Sequence, residues 1–182
     1  RFLDCRDVVP YLHELGAGDV YSSPRFRTRR GSSHCYDVAN PARVNSELGT
    51  DDEFDELCEK LKRYGMGLLL DIVPNHMAAS HENPWWMDVL ENGPGSCYAH
   101  YFDIDWHPAV FKAPFLLDNK VLLPVLGDLY GTVLTNLELS LKLDESGLFV
   151  RYYDRRFPLD PKTYCPILDH CAGRLARTLG AE

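Results

Sequence analysis

The chain has 182 residues and a formal net charge of −8, and 45% of its residues are hydrophobic, 25% charged and 12% aromatic. This composition is typical of a globular protein and excludes a disordered, coiled-coil or collagen-like chain. A nucleic-acid partner is not expected, because such binding depends on Lys and Arg neutralising phosphates. A membrane partner is not expected either, since no apolar run reaches the roughly 18 residues of a spanning helix and no signal segment is present.

The six cysteines are scattered along the chain and include no C-x-x-C pair. Because there is also no secretory signal, this pattern predicts reduced thiols and a cytoplasmic protein. Cys165, His170 and Cys171 lack the spacing of a zinc motif, so the sequence predicts no metal site. The chain begins with Arg1 rather than Met, and we therefore expect a further segment upstream in the parent protein.

The first part of the chain follows a helix–strand plan. Apolar residues at helical spacing predict a helix over residues 7–15, which Gly16 is suited to end in a left-handed conformation. A short strand is predicted at residues 20–21 and stops before Pro24. The basic residues after Pro24 are interpreted as a solvated loop face, with a specific ligand contact as the less favoured alternative. They are Arg25, Arg27, Arg29 and Arg30.

A second unit repeats this plan. Thr50 and Glu53 form a capping-box pattern, which predicts a helix that ends at Gly65. The continuous apolar run over residues 67–73 predicts a parallel strand buried on both faces. Since crossovers between parallel strands are right-handed, the two strands should open at the same edge of an α/β fold, and that edge holds the active site in barrels and open sheets.

The second half of the chain has a different character. Residues 83–118 are rich in aromatic and turn residues without a sustained period, and we interpret them as an irregular excursion from the sheet. Alternating residues from 137 to 144, a glycine-containing turn and a second run over residues 148–153 predict an antiparallel hairpin. A final helix is predicted from about Pro166, which suits a first turn.

Polar residues follow the second predicted strand. Asp71 is a carboxylate at a position expected to be buried, so it requires a partner. Asn75 and His76 come directly after the strand, where an amide and an imidazole can hydrogen-bond a polyhydroxylated ligand. The alternative is structural: Asp71 simply caps a neighbouring loop.

Aromatic residues provide a second set of candidates. Tyr36 lies in the loop after the first strand, and periodicity alone would not single it out. The aromatic clusters of the excursion can stack on sugar rings or can form that segment's own core, and the residues alone favour the core. These aromatic residues are Trp85, Trp86, Tyr98, Tyr101, Phe102 and Trp106.

Several segments carry a family resemblance. Residues 68–78, LLLDIVPNHMA, resemble the first signature region of the alpha-amylase superfamily, glycoside hydrolase family 13, in the form typical of maltooligosyltrehalose synthases. The resemblance covers nearly the whole chain, and further short sequence motifs support the narrower assignment to the maltooligosyltrehalose synthases. These motifs are YSSP at 21–24, HCYDV at 34–38, ELG at 47–49, ENPWW at 82–86, YFDIDW at 101–106, VLLPVLG at 121–127 and RFPLDP at 156–161.

The resemblance implies an α/β fold that is part of a (β/α)8 TIM barrel. Residues 1–76 would hold its second and third strands, and residues 77–182 would form a subdomain inserted after the third strand. The parent enzyme would be an isomerase that converts the reducing-end α-1,4 bond of a maltooligosaccharide into the α-1,1 bond of trehalose, without a metal or organic cofactor. The alternatives are a related glucan hydrolase, a non-catalytic glucan-binding remnant and, least favoured, an unrelated α/β protein.

The resemblance also implies roles for individual residues. Tyr36 would stack on the sugar at the cleavage subsite, His76 would contact its primary hydroxyl, and Asp71 would help to hold the site together. Asn75 would support the site, and the Trp85-Trp86 pair would contact substrate. The family's nucleophilic aspartate, its acid/base glutamate and a further aspartate have no counterpart here, so the chain alone is expected to be inactive and to need the remainder of the parent enzyme.

One position departs from the family pattern. Cys35 stands where the family usually has the glycine that precedes the tyrosine. If the backbone there needs a positive φ angle, a side chain costs on the order of 1 kcal/mol or more. The placement of Tyr36 therefore depends on how the chain accommodates Cys35.

Overall fold

A computed structural model describes residues 1–107 and 119–179, with side chains described as far as residue 174. The chain divides into two compact units, Arg1–Asn83 and Pro84–Glu182. Each unit is considered by itself below. No helix within the described ranges is long and apolar enough to cross a membrane.

Two helices and two parallel strands form the frame of the first unit. They are α1 (Phe2–Glu14), β1 (Asp19–Ser22), α2 (Asp51–Arg63) and β4 (Gly67–Leu70). β1 pairs with β4 in parallel, with Asp19 opposite Gly67 and Ser22 opposite Leu70. The predicted parallel pairing of these two strands is thus confirmed, although β4 ends three residues before the predicted Val73.

The helix ends follow the local signals in the sequence. Thr50 Oγ1 accepts a hydrogen bond from the backbone N–H of Glu53 at 3.2 Å, and the Glu53 carboxylate accepts one from the Thr50 N–H at 2.8 Å, which confirms the capping box. Gly65 has a φ angle of +67° and follows Tyr64, the C-cap residue of α2. α1 begins at Phe2, five residues before the predicted start at Asp7. The sequence did not reveal this start because no side chain caps the first turn of the helix.

The core of the first unit lies between the helices and one face of the sheet. Val20, Leu68 and Leu70 pack from the sheet against this core. On the opposite face, Tyr21 is 63% and Leu69 is 61% exposed. The expected burial of β4 on both faces is therefore wrong for the described residues, because helices cover only one face. The buried core residues are Phe2, Val9, Phe54, Leu57, Leu61 and Met66.

A second, antiparallel strand pair follows β1. It consists of β2 (Phe26–Thr28) and β3 (Val38–Val44), with register shifts along the ladder. The basic stretch predicted as a loop is therefore partly a strand. Thr28 is buried whereas Arg27 is exposed, so the arginine is an outward residue of a short strand, and the high local charge hid this alternation in the sequence.

The second unit begins with a helix that the sequence interpretation missed. α3 (Pro84–Asn92) and two 3-10 turns, Gly93–Gly95 and Ala99–Tyr101, occupy much of the stretch that was expected to be irregular, whereas residues 96–98 and 102–107 are irregular as predicted. Residues 108–118 of that stretch lie outside the described residues. A nine-residue helix rich in large side chains is too short to show a sustained helical period.

The described part of the second unit also contains a three-stranded antiparallel sheet, two further α-helices and a 3-10 turn, Pro161–Thr163. The predicted hairpin is confirmed as β5 (Leu139–Asp144) and β6 (Gly147–Tyr152), and Gly147 has a φ angle of +108° at the turn. A third strand, β7 (Arg155–Pro158), pairs with β6 and was not predicted. The helices are α4 (Tyr130–Thr135) and α5 (Tyr164–Leu179), and Pro166 lies in the first turn of α5, as predicted.

Candidate functional site

Two tyrosine hydroxyls meet one carboxylate at the carboxyl end of the parallel strand pair. The hydroxyl of Tyr36 donates a hydrogen bond to Asp71 Oδ2 at 2.6 Å. The hydroxyl of Tyr21 donates to the same oxygen, also at 2.6 Å. We refer to these three residues as the tyrosine–aspartate cluster. It joins two residues that the sequence singled out, Tyr36 and Asp71, with one that it did not, Tyr21.

The strand register places Tyr21 beside Asp71. Tyr21 pairs with Leu69, and paired residues of neighbouring strands point to the same face of a sheet. Asp71 is two residues beyond Leu69, and its backbone N–H donates to the Ser22 carbonyl at 3.0 Å, which continues the ladder past the end of β4. The side chains of Tyr21 and Asp71 therefore both reach the face that is not packed against the helices.

Tyr36 reaches the cluster from the loop between β2 and β3. Its backbone N–H donates to His34 Nδ1 at 3.0 Å, and the Cys35 N–H donates to Ser32 Oγ at 3.3 Å. Cys35 is buried and has a φ angle of +64°. The positive φ angle anticipated at this position is thus present, and the loop holds it with a side chain that costs on the order of 1 kcal/mol or more there. The departure at Cys35 leaves the contact between Tyr36 and Asp71 intact.

The cluster fixes the charge state of its members. Hydrogen bonds from Tyr21 and then from Tyr36 lower the pKa of the Asp71 carboxyl below its ordinary value, because both donors favour the ionised form. The hydrogen bonds that Tyr21 and Tyr36 donate to the Asp71 carboxylate in turn raise the pKa of both hydroxyls, because these bonds favour the protonated phenols. At neutral pH the cluster therefore holds one carboxylate and two protonated phenols.

The sequence expectation for Asp71 is met in one respect and corrected in another. Its required partners exist, and they are the two tyrosine hydroxyls. The residue is half-buried rather than buried, because the face of the sheet on which it lies is open in the described residues. The short hydroxyl–carboxylate distances of 2.6 Å are typical of charge-assisted hydrogen bonds.

Asn75 and His76 lie on the segment that leaves the cluster. Both side chains are exposed, and neither makes a hydrogen bond to another of the described residues. The segment returns to β3 at Ala78, whose backbone N–H donates to the Val38 carbonyl at 2.8 Å. The fully buried Asn83 then donates to the Ala78 carbonyl at 3.0 Å. The loop is thus anchored at both ends and presents an amide and an imidazole to solvent between them.

Trp85 and Trp86 belong to α3 of the second unit. The ring of Trp85 stacks on that of Tyr98 with a centroid distance of 5.2 Å and an interplanar angle of 8°. The ring of Trp86 contacts that of Phe102, also at 5.2 Å. Both tryptophans are half-buried by aromatic neighbours of their own unit. Packing of this kind fits the core interpretation, and contact with substrate stays a prediction.

The chemistry available to the cluster is that of binding and orientation. It contains one carboxylate, whereas retaining glycosidic chemistry needs a nucleophilic and an acid/base carboxylate about 5 Å apart. No group of three His, Cys, Asp or Glu side chains that could hold a metal ion is found in the part of the chain that the structure describes. An ionised carboxylate, phenol rings, an amide and an imidazole suit a neutral polyhydroxylated ligand.

Tyr21 is the member of the cluster that sequence reasoning missed. The signal that could have identified Tyr21 is the parallel pairing of β1 with β4 together with the register of that pairing. Once Ser22 is placed opposite the end of the second strand, the residue before it lies next to Asp71 on the same face. The sequence predicted the pairing but gave no register, so it could not distinguish Tyr21 from its neighbour Val20, which points into the core.

Comparison with known proteins identifies relatives of this chain. The family described as alpha amylase, catalytic domain, matches residues 6–122. A protein of Mycobacterium tuberculosis assigned as a maltooligosyl trehalose synthase is 41% identical over 128 residues, which is 69% of this chain and 16% of that protein. The intracellular maltogenic amylase of Bacillus subtilis is 33% identical over 102 residues, which is 56% of this chain and 17% of that protein.

A solved structure extends the similarity to the second unit. The maltooligosyltrehalose synthase of Arthrobacter ramosus matches with a TM-score of 0.74 and 38% sequence identity, over 89% of this chain and 20% of that chain. A match over 89% of the chain extends well beyond residue 122, where the family match ends. This chain spans about a fifth or less of the length of these relatives.

Proposed function

The chain belongs to the alpha-amylase family, and from this membership we propose that it is part of a maltooligosyltrehalose synthase. In this proposal, residues 1–76 supply the second and third strands of a (β/α)8 barrel, and residues 77–182 form a subdomain inserted after the third strand. The helix-covered face of the β1–β4 pair would be the outer face of that barrel, and the open face with Tyr21 and Leu69 its interior.

The proposed substrate is a maltooligosaccharide, and the proposed reaction is an intramolecular transglycosylation. The parent enzyme breaks the α-1,4 bond at the reducing end and forms a covalent glycosyl intermediate. The released glucose stays bound, and its anomeric hydroxyl attacks the intermediate to form an α-1,1 bond, so the enzyme is an isomerase. The Mycobacterium tuberculosis protein is 41% identical over 69% of this chain, against 33% over 56% for the maltogenic amylase, and this difference supports the choice within the family.

The observation that carries the proposal is the hydrogen bond between Tyr36 and Asp71. These residues lie in two sequence segments with the family resemblance, and the fold brings them together at the edge where a barrel binds its substrate. In the proposed site, the Tyr36 ring stacks on the sugar at the cleavage subsite, and Asp71 orients the Tyr36 ring. His76 contacts the primary hydroxyl of that sugar, and Asn75 supports the site. The half-exposed rings of Trp85 and Trp86 serve as further substrate contacts.

The remainder of the parent enzyme is required for catalysis in this proposal. It supplies the nucleophilic aspartate and the acid/base glutamate, for which the tyrosine–aspartate cluster has no equivalent. The isolated chain is therefore inactive. The reaction needs no metal or organic cofactor, and we place the enzyme in the cytoplasm, in keeping with its scattered cysteines.

A related glucan hydrolase is the second candidate, because the maltogenic amylase is 33% identical to this chain. The full-length protein, incubated with a maltooligosaccharide, separates the two. We expect reducing ends to disappear without a matching release of glucose. Stoichiometric appearance of glucose or maltose with new reducing ends would instead establish hydrolysis.

A chemically modified substrate provides the control for this assay. A maltooligosaccharide whose reducing end has been converted to an alditol lacks the anomeric hydroxyl that acts as the nucleophile in the second step. A synthase should form no α-1,1 bond from it, whereas a hydrolase should still cut its internal α-1,4 bonds. Cleavage of this substrate at the rate of the unmodified one would contradict the proposed function.

A further inference from the structure

Tyr21 has no role in the function proposed above, yet it makes the same contact with Asp71 as Tyr36 does. We infer that Tyr21 is a positioning residue, which fixes the Asp71 carboxylate so that the carboxylate in turn holds the hydroxyl of Tyr36. The inference rests on the proposed function of Tyr36 as a platform for the sugar. It is carried by the two hydrogen bonds of 2.6 Å to a single carboxylate oxygen.

The three residues differ in how firmly the backbone holds them. Tyr21 lies within β1, which is paired with β4 along its full length, and Asp71 continues that ladder through its N–H bond to Ser22. Tyr36, in contrast, lies in a loop and is 40% exposed. The side-chain torsion χ2 of an aspartate is broad, so one hydrogen bond from a loop residue does not define its orientation. A second donor, from the strand residue Tyr21, does define it. The carboxylate that Tyr21 fixes then holds the loop residue Tyr36 in place.

Packing within the described residues does not explain a tyrosine at position 21, although the proposed barrel would enclose its face of the sheet. The side chain is 63% exposed on the open face of the sheet, whereas its neighbour Val20 packs into the core. The directed contact that Tyr21 makes is therefore that of its hydroxyl group. Tyr11 on α1 offers a matched comparison, because it is 65% exposed and its hydroxyl has no hydrogen-bond partner among the described residues.

The electrostatic effects agree with the geometry. The hydrogen bond from Tyr21 is the largest cause of the lowered pKa of Asp71, and that from Tyr36 is the second. Asp71 stays ionised at neutral pH without the Tyr21 hydroxyl, so the expected effect of removing that hydroxyl is that the carboxylate becomes free to rotate. The hydroxyls of Tyr21 and Tyr36 also interact with each other directly, since both lie at the same carboxylate oxygen, and the path through Asp71 adds to that interaction.

A double-mutant cycle in the full-length protein tests this path. We expect Tyr21→Phe to lower kcat/KM for the maltooligosaccharide about five- to tenfold, since a hydrogen bond to a charged group is lost while the contact of Tyr36 remains. In an Asp71→Asn background, Tyr21→Phe should cause a clearly smaller loss, because the neutral amide accepts only a weak hydrogen bond from Tyr21. Tyr11→Phe should leave kcat/KM unchanged. An equal loss in both backgrounds, or none in either, would overturn the inference.

A titration of the 182-residue chain provides a readout that does not depend on activity. NMR of the carboxyl carbons should show the pKa of Asp71 rising toward its ordinary value in Tyr21→Phe and not in Tyr11→Phe. An unchanged pKa of Asp71 in Tyr21→Phe would refute the inference even if the full-length protein is an active synthase. A raised pKa together with a wild-type protein that forms no trehalose would instead refute the proposed function and leave the Tyr21–Asp71 contact established.

Discussion

The hydroxyl of Tyr36 lies 2.6 Å from the carboxylate of Asp71, although 35 positions separate the two residues in the sequence. The contact joins the loop between β2 and β3 to the end of β4, and with them the two segments that carry most of the family signature. Because the hydrogen bond is charge-assisted, we expect removal of the Asp71 charge to lower activity more than removal of the Tyr36 hydroxyl.

Asp71→Asn should be the more damaging of the two substitutions in the cluster. A neutral amide accepts weaker hydrogen bonds from both tyrosines, so the ring of Tyr36 loses its fixed position, and a misplacement of about 1 Å can cost on the order of 100-fold in rate. We expect kcat/KM of the full-length protein to fall about 100-fold in Asp71→Asn and about tenfold in Tyr36→Phe, which keeps the ring. Asp55→Asn on the exposed surface of α2 is the control and should be neutral. A reversed order would argue against Asp71 as the centre of the cluster.

The stability contributed by the cluster should depend on pH in a defined window. The folded-state pKa of Asp71 is lowered, so this contribution is fully present above the unfolded carboxyl pKa of about 3.9 and is lost as the pH falls through the folded value. The pKa of Tyr36 is raised, so the contribution is also present below about pH 10 and is lost at higher pH. Urea unfolding of the chain and of Tyr36→Phe should differ by a constant amount from about pH 5 to 9. A difference that grows below pH 4 would contradict this sign.

The positive φ angle at Cys35 should favour glycine over any residue with a β-carbon. At φ = +64°, a side chain costs about 1–2 kcal/mol relative to glycine. Cys35→Gly and Cys35→Ala both remove the buried thiol, so their comparison isolates the backbone effect. We expect Cys35→Gly to be more stable than Cys35→Ala by about 1 kcal/mol in urea unfolding. Greater stability of the alanine variant would show that the loop relaxes to a negative φ angle.

Gly49 should tolerate no side chain, for both steric and backbone reasons. Its φ angle is +146°, and an added β-carbon would collide with the Glu53 carboxylate of the capping box and lie 2.7 Å from Cδ2 of the buried Phe2. Gly49→Ala should therefore destabilise the chain by more than about 1 kcal/mol. The control is Gly18→Ala, since no atom lies within 4 Å of a β-carbon at Gly18. Equal unfolding midpoints of the two variants would refute this account of the start of α2.

Local signals made the frame of the first unit predictable. The capping box depends on two residues three positions apart, Thr50 and Glu53, and the parallel pairing follows from the handedness of crossovers. The meeting of Asp71 with the end of β1 follows from the same topology. These features could be predicted because each depends on short-range sequence patterns or on a general rule of chain topology.

The remaining features depend on information that the sequence does not display locally. β2 was hidden by Arg27, by the arginines on either side of the strand and by the irregular ladder with β3, and β7 was hidden by the adjacent Arg155 and Arg156. Arg156 in fact lies over the Phe149 ring at 3.7 Å, and its guanidinium pairs with Asp144 at 2.6 Å. Tyr21 required a strand register, which single-sequence periodicity does not give.

The reading frame of the source gene beyond Glu182 tests most directly the central claim that this chain is part of a catalytic alpha-amylase barrel. We expect the frame to continue and to encode, in order, a strand ending in Arg-x-Asp, a strand-end Glu and a His-Asp pair. These residues would supply the nucleophile, the acid/base and the further aspartate that the tyrosine–aspartate cluster lacks. An early stop codon would contradict the claim and would leave a glucan-binding remnant as the better description of the protein.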